Sequence, residues 1–388
     1  MYRASANPMA DSLQRILLLD AEMSFRGSSL LTLRLAHGLE KREFDTALVC
    51  TSCEGLNESL LQGVRLHTIQ GYNFPVWGHL VLRTLYRDLK EQRPDVIHLQ
   101  DSRLLPQGIR LARKLNRPLI VSLGDQTDAA SLTLKAPTPE LKAIICVSES
   151  VQAQIPESPF LDGVERRVIL PGVAVPETST VCLPLDENRP PVIGMAGPLE
   201  IVKGAAFFLR ACHRVIEAGH NIRMVIAGSG PEERSLRQLA SSLELSRRLT
   251  FVDGGVSMAG YISAIDIFCL PSLQQGLGVM MLEAMALGRP VIASGVGGVV
   301  SVIQDNVTGL IVPPSDSRSL ADRIIELLQD RERARTIAAA GQQLIRDRFN
   351  ETRMLDEVIQ VYREVQAGSP HGQESQPVVG RMTGTWHS

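Results

Sequence analysis

The sequence predicts an α/β protein made of two doubly wound halves, each a parallel sheet between helices. Three observations carry that expectation. Short apolar runs of strand length alternate with helix-spaced segments along most of the chain. The alternation lapses once, in the proline-rich stretch 171–191, and then restarts. The length of 388 residues exceeds what one hydrophobic core usually organises. Open parallel sheets bind ligands outside the carboxyl ends of their strands, so two in series point to a cleft between them.

The first half opens after a polar N-terminus, residues 1–12, expected to be disordered. Residues 15–20 (RILLLD) read as a buried strand. A loop with Arg26, Gly27 and Ser28 leads into a helix ending near Lys41, with Leu31, Leu35 and Leu39 as its inner stripe. Strands follow at 46–50 and 64–69, a helix around 79–92, a strand at 95–99, a helix at 104–115 and a strand at 118–122. Strands at 141–147 and 167–170 complete this half, and the linker follows.

The second half repeats the pattern. A strand at 191–196 and a helix at 203–218 precede a strand at 221–227, which ends in Gly228-Ser229-Gly230-Pro231; a proline suits a first helical position. Strands at 249–252 and 266–270 come next. Residues 270–293 (LPSLQQGLGVMMLEAMALGRPVIA) join a strand end, a glycine loop, a helix at 279–287 and a strand at 290–293 in one βαβ unit, which requires parallel pairing. The last strand is 310–312. Leu320, Ile324 and Leu327 mark a helix face behind Asp316 as its cap. Helices at 332–349 and 351–365 end the periodic part. The expected organisation is a first domain at 13–175, a linker at 176–190, a second domain at 191–350, a final helix at 351–366 and a disordered tail at 367–388.

Composition narrows the function classes. Hydrophobic residues make up 44% and charged residues 21%, as in ordinary globular chains. Forty basic against forty-two acidic residues give no bias towards polyanions, so a nucleic-acid partner is not expected. No apolar run reaches bilayer length, and the N-terminus lacks the apolar core of a signal peptide, which together suggest a cytoplasmic protein. Six scattered cysteines fit reduced thiols. Cys50 and Cys53 form a C-x-x-C that reads either as a redox pair or as two strand-end cysteines; no second pair completes a zinc site, and no metal is expected.

The chemistry concentrates in the 270–293 unit. Gly276 and Gly278, flanking Leu277, let backbone approach a ligand closely. The helix start behind them offers unpaired N–H groups and a positive dipole end, which suit a phosphate. Glu283 lies about one turn inside that helix, where a carboxylate could accept from ribose hydroxyls. Lys203, at another expected helix start, opposes the dipole unless an anion sits nearby; by charge alone it reads as a solvated lysine or as a phosphate ligand. Gln275 reads as a water-facing loop residue or as a partner for sugar hydroxyls.

These residues together resemble the donor site of retaining GT-B glycosyltransferases, especially glycosyltransferase family 4. The family signature E-G-x-G-x-x-x-x-E falls on Gln275 and Glu283, eight positions apart, with the first acid replaced by an amide. The pattern G-R-L-x-x-x-K-G falls on Gly197 to Gly204, with Pro198 in place of the arginine and Lys203 kept. The loop G-G-x-x-E falls on Gly297 and Gly298 with Ser301 for the acid, and Thr308 to Val312 resembles the family's T-G-x-L-V turn. The likeness is strongest over residues 192–314 and weak before Pro171.

The resemblance implies a GT-B fold of two Rossmann-like domains facing a cleft, with the last helix crossing back to the first. It implies transfer of a sugar from a nucleotide-diphosphate sugar (UDP, GDP or ADP) to a sugar or lipid-linked acceptor, with retained configuration and no resident cofactor. Lys203 and Gln275 would be the catalytic positions. Gly197, Lys203, Gly276, Leu277, Gly278 and Glu283 would hold the donor, Glu283 through the ribose. On the acceptor side stand Gly27, His98 and Asp125; the family's histidine after the fifth strand is absent, with Gly124 in its place, and Asp125 also reads as a turn former. A lone strand histidine such as His98 equally reads as structural. Peripheral association with the inner membrane surface is left open. The rival reading is a non-catalytic member that binds nucleotide sugar or a partner enzyme, since the arginine, glutamate and histidine are all missing. A GT-B-like epimerase would need acid–base residues that are not apparent.

Overall fold

The computed structural model describes residues 14–24, 27–53, 61–69, 93–175, 185, 188–252 and 258–368. The expected N-terminal disorder, the helix at 79–92, Arg26, most of the linker and nearly all of the tail lie outside the described residues.

The first half contains strands β1 (Arg15–Leu19), β2 (Glu22–Met23), β3 (Asp45–Cys50), β4 (Ser52–Cys53), β5 (Arg65–Thr68), β6 (Val96–Leu99), β7 (Leu119–Leu123), β8 (Leu141–Cys146) and β9 (Glu165–Val168). Among the described residues, seven form one sheet in the order β5-β3-β1-β6-β7-β8-β9, and β2 pairs with β4. Every pair is parallel. The helices here are α1 (Gly27–Lys41), α2 (Leu105–Leu115), α3 (Gln126–Ser131) and α4 (Glu149–Gln152). After Arg15 every residue of β1 is buried, because helices cover both faces of a parallel sheet; this is why the strand reads as a continuous apolar run.

The second half contains β10 (Val192–Ala196), β11 (Arg223–Ala227), β12 (Leu249–Val252), β13 (Ile267–Leu270), β14 (Val291–Ser294) and β15 (Leu310–Val312), in the order β12-β11-β10-β13-β14-β15. This sheet is also wholly parallel. The order reverses between β10 and β13, the place where doubly wound sheets open a crevice. The helices are α5 (Ala205–Glu217), α6 (Glu233–Ser242), α7 (Met258–Ser263), α8 (Val279–Ala286), α9 (Ser317–Gln329), α10 (Arg331–Arg348) and α11 (Glu351–Ala367). Asp316 caps α9 as expected, accepting from the N–H groups of Arg318 and Ser319.

Several details differ from expectation. The helix placed at 203–218 starts at Ala205; Ile201–Lys203 form a 3₁₀ turn that Gly204 ends with a left-handed φ of 72°. The strand placed at 167–170 lies at Glu165–Val168. Leu35 and Leu39 are buried as expected, while Leu31, packed against the same core, is only half-buried and also lines a cavity.

Helix α11 does cross back. Asn350 caps it by accepting from the Arg353 N–H, and Met354, Leu355, Val358, Ile359, Tyr362 and Val365 join the first half's core beside Ile16, Leu18, Leu39 and Leu48. Arg353 donates to the Leu170 carbonyl at 2.8 Å, and the Val173 N–H to the Phe349 carbonyl at 2.7 Å.

Two buried titratable groups in this half pull stability in opposite directions. Asp20, at the end of β1, accepts from Thr32 Oγ1 at 2.9 Å, yet burial lifts its pKa to about 6. Between pH 3.8 and about 6 the folded state keeps a proton that the unfolded chain has released, so this contribution falls as pH rises. His98 is pushed down to about 3 by burial; below 6.5 the unfolded chain takes up a proton that the folded state refuses, so this contribution falls as pH drops. Asp20→Asn should remove the first slope alone, so that the thermal midpoint falls more steeply from about pH 6 to about pH 4 than in the unaltered chain. His98→Gln should flatten the acid-side loss. Melting curves across that range check both, and unchanged profiles in both variants would contradict the assignment.

Candidate active site

The carboxyl ends of the two sheets enclose a cavity of about 620 Å³, within the range of small-molecule sites. One wall comes from the second half: Gly197 and Pro198 after β10, Lys203 in the turn before α5, residues 272–278 after β13, and Gly297 after β14. The other comes from the first half: Gly27 and Ser28 at the start of α1, Gly124 to Asp128 after β7, and Val147 after β8.

On the second wall the loops knit together through backbone bonds. The Leu273 N–H donates to the Val202 carbonyl at 2.8 Å, which ties the turn of Lys203 to the loop of Gln275. Lys203 Nζ then donates to Gln275 Oε1 at 3.2 Å, and Ser272 Oγ donates to the same oxygen at 3.2 Å. Two donors on the carbonyl oxygen leave the amide nitrogen as the end of Gln275 that can donate to a ligand. Gly278, with a φ of 87°, is the N-cap of α8, so the first N–H groups of that helix open beside Val279 and Met280 on the cavity wall.

Across the cavity, Asp125 caps α3 by accepting from the Asp128 N–H at 2.8 Å. Ser102 Oγ donates to Asp128 Oδ1 at 3.1 Å. Burial, and next the neighbouring Asp125, hold the Asp128 carboxyl above the usual range. The two walls nearly touch at Gly276: a Cβ there would lie 2.9 Å from the Gly124 carbonyl oxygen and 3.4 Å from Asp125 Cβ. Only a residue without a side chain permits that approach.

The structure thus brings Gly27, Asp125, Gly197, Lys203, Gln275, Gly276, Leu277 and Gly278 to one cavity. Two expected site residues are elsewhere. His98 does not line the acceptor side. It is 1% exposed, with Nδ1 against the Tyr362 hydroxyl at 2.7 Å and Nε2 against Ser122 Oγ at 2.8 Å, because α11 covers that face of β6. Glu283 is not on the cavity wall either. It is 5% exposed, and its carboxylate pairs with the guanidinium of Arg34 on α1; burial outweighs that cation and raises its pKa. Ser301, in place of the family's acid, donates to the Gly298 carbonyl at 2.7 Å and closes its own turn. Sequence reading missed Ser272, Asp128 and Arg34. Ser272 and Asp128 follow strand ends, which was the available signal; Arg34 lies mid-helix and gave none.

Two wholly parallel Rossmann-like sheets whose carboxyl ends share a cleft, with the final helix returned to the first, define the GT-B class. Structural likeness agrees. HepE from Anabaena, solved in complex with UDP and glucose, superposes with a TM-score of 0.74 over 90% of this chain and 100% of that one, at 20% identity. Sucrose-phosphate synthase from Thermosynechococcus elongatus does so at 0.69 over 92% and 100%, also at 20% identity. Residues 25–175 match the model of Glycosyltransferase Family 4, and residues 184–344 that of Glycosyl transferases group 1. The chain is 30% identical to alpha-D-kanosaminyltransferase of Streptomyces kanamyceticus over 178 residues, 45% of this chain and 46% of that one. It is 37% identical to a GDP-mannose-dependent alpha-(1-6)-phosphatidylinositol monomannoside mannosyltransferase of Mycobacterium tuberculosis over 132 residues, 31% and 34% of the two chains. The matched part spans about half the length of the first of these relatives and about a third of the second. The chain belongs to the group 1, family 4-like glycosyltransferases.

The contact at Gly276 gives a direct test of the closed cleft. Gly276→Val should hold the walls apart, since a branched Cβ cannot pass the Gly124 carbonyl. Small-angle scattering should report a larger radius of gyration with an unchanged thermal midpoint. An unchanged radius would show that the walls have room to adjust.

Proposed function

We propose that the protein moves a sugar from a nucleotide-diphosphate sugar to an acceptor hydroxyl, with retained anomeric configuration. The observation that carries this reading is the junction of Lys203, Gln275 and the α8 N-terminus on one wall of the cavity. As the bond from the anomeric carbon to the β-phosphate oxygen breaks, negative charge grows on the diphosphate. A cation and oriented N–H groups at that point stabilise the transition state. The amide of Gln275 is placed to donate to a sugar hydroxyl, and Asp125 and Asp128 face the acceptor's side of the same space. The names of similar proteins include UDP in one case and GDP-mannose in another, which supports a diphosphate donor while leaving the base open. The acceptor in this reading is a sugar or a lipid-linked acceptor, and no resident cofactor is invoked.

Cytoplasmic work, including at the inner membrane surface, belongs to the same proposal. The cysteines Cys50, Cys53, Cys146, Cys212 and Cys269 are free thiols, which fits a reducing compartment. Among the described residues no helix is long and apolar enough to cross a membrane.

A second reading, a donor-binding protein with little turnover, is favoured by Gln275 itself. An amide cannot supply the negative charge that the family's glutamate brings near the reacting carbon, and Pro198 removes a cation from the leaving group. Both changes act on the transition state more than on the bound donor.

Calorimetry with UDP, GDP and ADP tests the common part; no binding of any at millimolar concentration would sink it. Lys203→Ala should cost the binding nucleotide roughly tenfold or more in affinity, as expected for about 1.5–3 kcal/mol from a charge-assisted bond. Gln275→Glu separates the two readings. Faster donor hydrolysis at similar affinity identifies a binder that has lost rate. Loss of both affinity and activity identifies an active enzyme tuned to a sugar that prefers the amide.

A further inference from the structure

We propose that the transferred sugar carries an acylamino group, read by Gln275 on one wall of the cavity and by a recess at Gly124 and Asp128 on the other. The proposal rests on the transfer reading for placing a sugar in this cavity, and adds the class of that sugar.

Gln275 turns one kind of hydrogen-bonding end towards the ligand. Its Oε1 accepts from Lys203 Nζ and from Ser272 Oγ, both at 3.2 Å. The amide cannot be reversed. An ammonium has three donors and no acceptor, so a turned amide would set N–H groups against N–H groups. Ser272 is 1% exposed, and its hydroxyl proton is directed at the same oxygen. The Nε2 N–H groups therefore meet the ligand as donors. Lys203 and the first N–H groups of α8 are donors on the same wall, and in the transfer reading they take the diphosphate. A carboxylate at position 275 would call for a proton from the sugar. The amide calls for an oxygen that accepts.

The facing wall calls for the opposite. Asp128 accepts from Ser102 through Oδ1, while its Oδ2 lies 3.7 Å from where a Cβ on Gly124 would stand. Space is open there. Among the described residues six glycines line the cavity. Gly197, Gly278 and Gly297 have φ values of 143°, 87° and 55°, which disfavour a side chain. Gly27 and Gly276 would press a Cβ to 2.8 and 2.9 Å from a neighbour. Gly124 has neither reason. Its φ is outside the left-handed region, and a Cβ would meet only Asp128 Oδ2, at ordinary contact distance. The fold would accept a side chain at 124, and its absence leaves a recess beside a carboxylate. The recess lies close to Gln275, because Gly276, the next residue, abuts the Gly124 carbonyl.

Four substituents common on sugars can be set against these two walls. A hydroxyl accepts and donates through one atom and leaves the recess empty. An ammonium only donates, and would face the N–H groups of Gln275. A carboxylate only accepts, and would face Asp125 and Asp128. An acylamino group has a carbonyl for Gln275, an N–H for Asp128 and an acyl carbon for the recess. Being neutral, it is repelled by neither wall.

The test uses the full chain saturated with whichever of UDP, GDP and ADP binds it. The probes are methyl α-glycosides of the gluco, galacto and manno series. Each parent is compared with derivatives bearing an acetamido group at each hydroxyl position in turn, and with the free-amine and uronate forms. Ligand-observed NMR titration reads the dissociation constants. One acetamido isomer should bind roughly tenfold or more tighter than its parent, the scale of an added hydrogen bond or two. Gln275→Glu should bring that ratio to about one or below, because a carboxylate repels the carbonyl. Gly124→Val should lower it by filling the recess, and Asp128→Ala by removing the N–H partner. Thermal melting selects folded variants, and Gly124→Ala replaces Gly124→Val if the larger side chain fails to fold. The proposal is overturned if no acetamido glycoside binds tighter than its parent, or if the free-amine or uronate form binds tightest. A preference that survives both Gln275→Glu and the Gly124 variant would overturn it too. Failure of the transfer reading looks different: no nucleotide binds, while glycosides titrated alone still show an acetamido preference that depends on Gln275 and Gly124.

Discussion

The seating of α11 in the first domain is the constraint on which the rest depends. Two sheets in series have no fixed relation until something besides the linker joins them. Met354, Leu355, Val358, Ile359, Tyr362 and Val365 are all at most 7% exposed within the first domain's core. Full burial of side chains of this kind is worth about 1.5–3 kcal/mol each, before correction for a compact unfolded state. The ion pairs beside them, Arg42 with Asp356 and Arg167 with Glu364, are open to solvent by about a third or more of each side chain and of a kind worth ~0–1 kcal/mol. Apolar burial therefore holds the domains together. With α11 leaving one domain and docking in the other, the carboxyl ends of both sheets face one another, and a cavity between them follows.

That arrangement also explains the fate of His98. A histidine at the carboxyl end of a central strand looks like a cleft residue when only its own sheet is considered. The face of β6 that carries it is the face α11 covers, and Tyr362 supplies the partner that a buried imidazole needs. The information lies 264 residues away in the chain, beyond what local spacing can supply.

Much of the fold was legible because parallel strands covered on both faces read as unbroken apolar runs. β1, β10 and β13 are of that kind, and the glycines and prolines between them mark the turns. The two-residue strands β2 and β4 and the short helices α3 and α4 carry no periodicity and were not read. The second domain's wall was legible from the glycine loop and its neighbours. The side of α8 that Glu283 occupies was not. Every residue from Met280 to Ala286 is buried, Glu283 included, so the helix is covered all round and its sequence does not say which side faces a ligand. Family spacing located Glu283 on the helix correctly. Only the position of Arg34 on another domain shows where its carboxylate is engaged.

The two departures from the family pattern near the diphosphate, Pro198 for arginine and Gln275 for glutamate, make physical sense as a pair. Arginine, lysine and glutamate together carry a formal charge of plus one; proline, Lys203 and glutamine carry the same. Removing the cation alone would leave Lys203 facing a carboxylate across 3.2 Å, the present distance to the Gln275 oxygen, with its charge largely compensated. Removing the anion as well frees that field for the ligand. Opposite charges about 4 Å apart interact by about 4 kcal/mol at an effective dielectric of 20, so the compensation is large on the scale of binding. Attraction for a diphosphate is thus preserved in sum. What changes is its distribution. One lysine held by an amide and a serine replaces two cations flanking an acid, and the charge near the sugar's reacting carbon falls from negative to neutral. On the proposed reading, a site altered in this way would keep what it needs to hold a nucleotide sugar and would give up part of what hastens its cleavage.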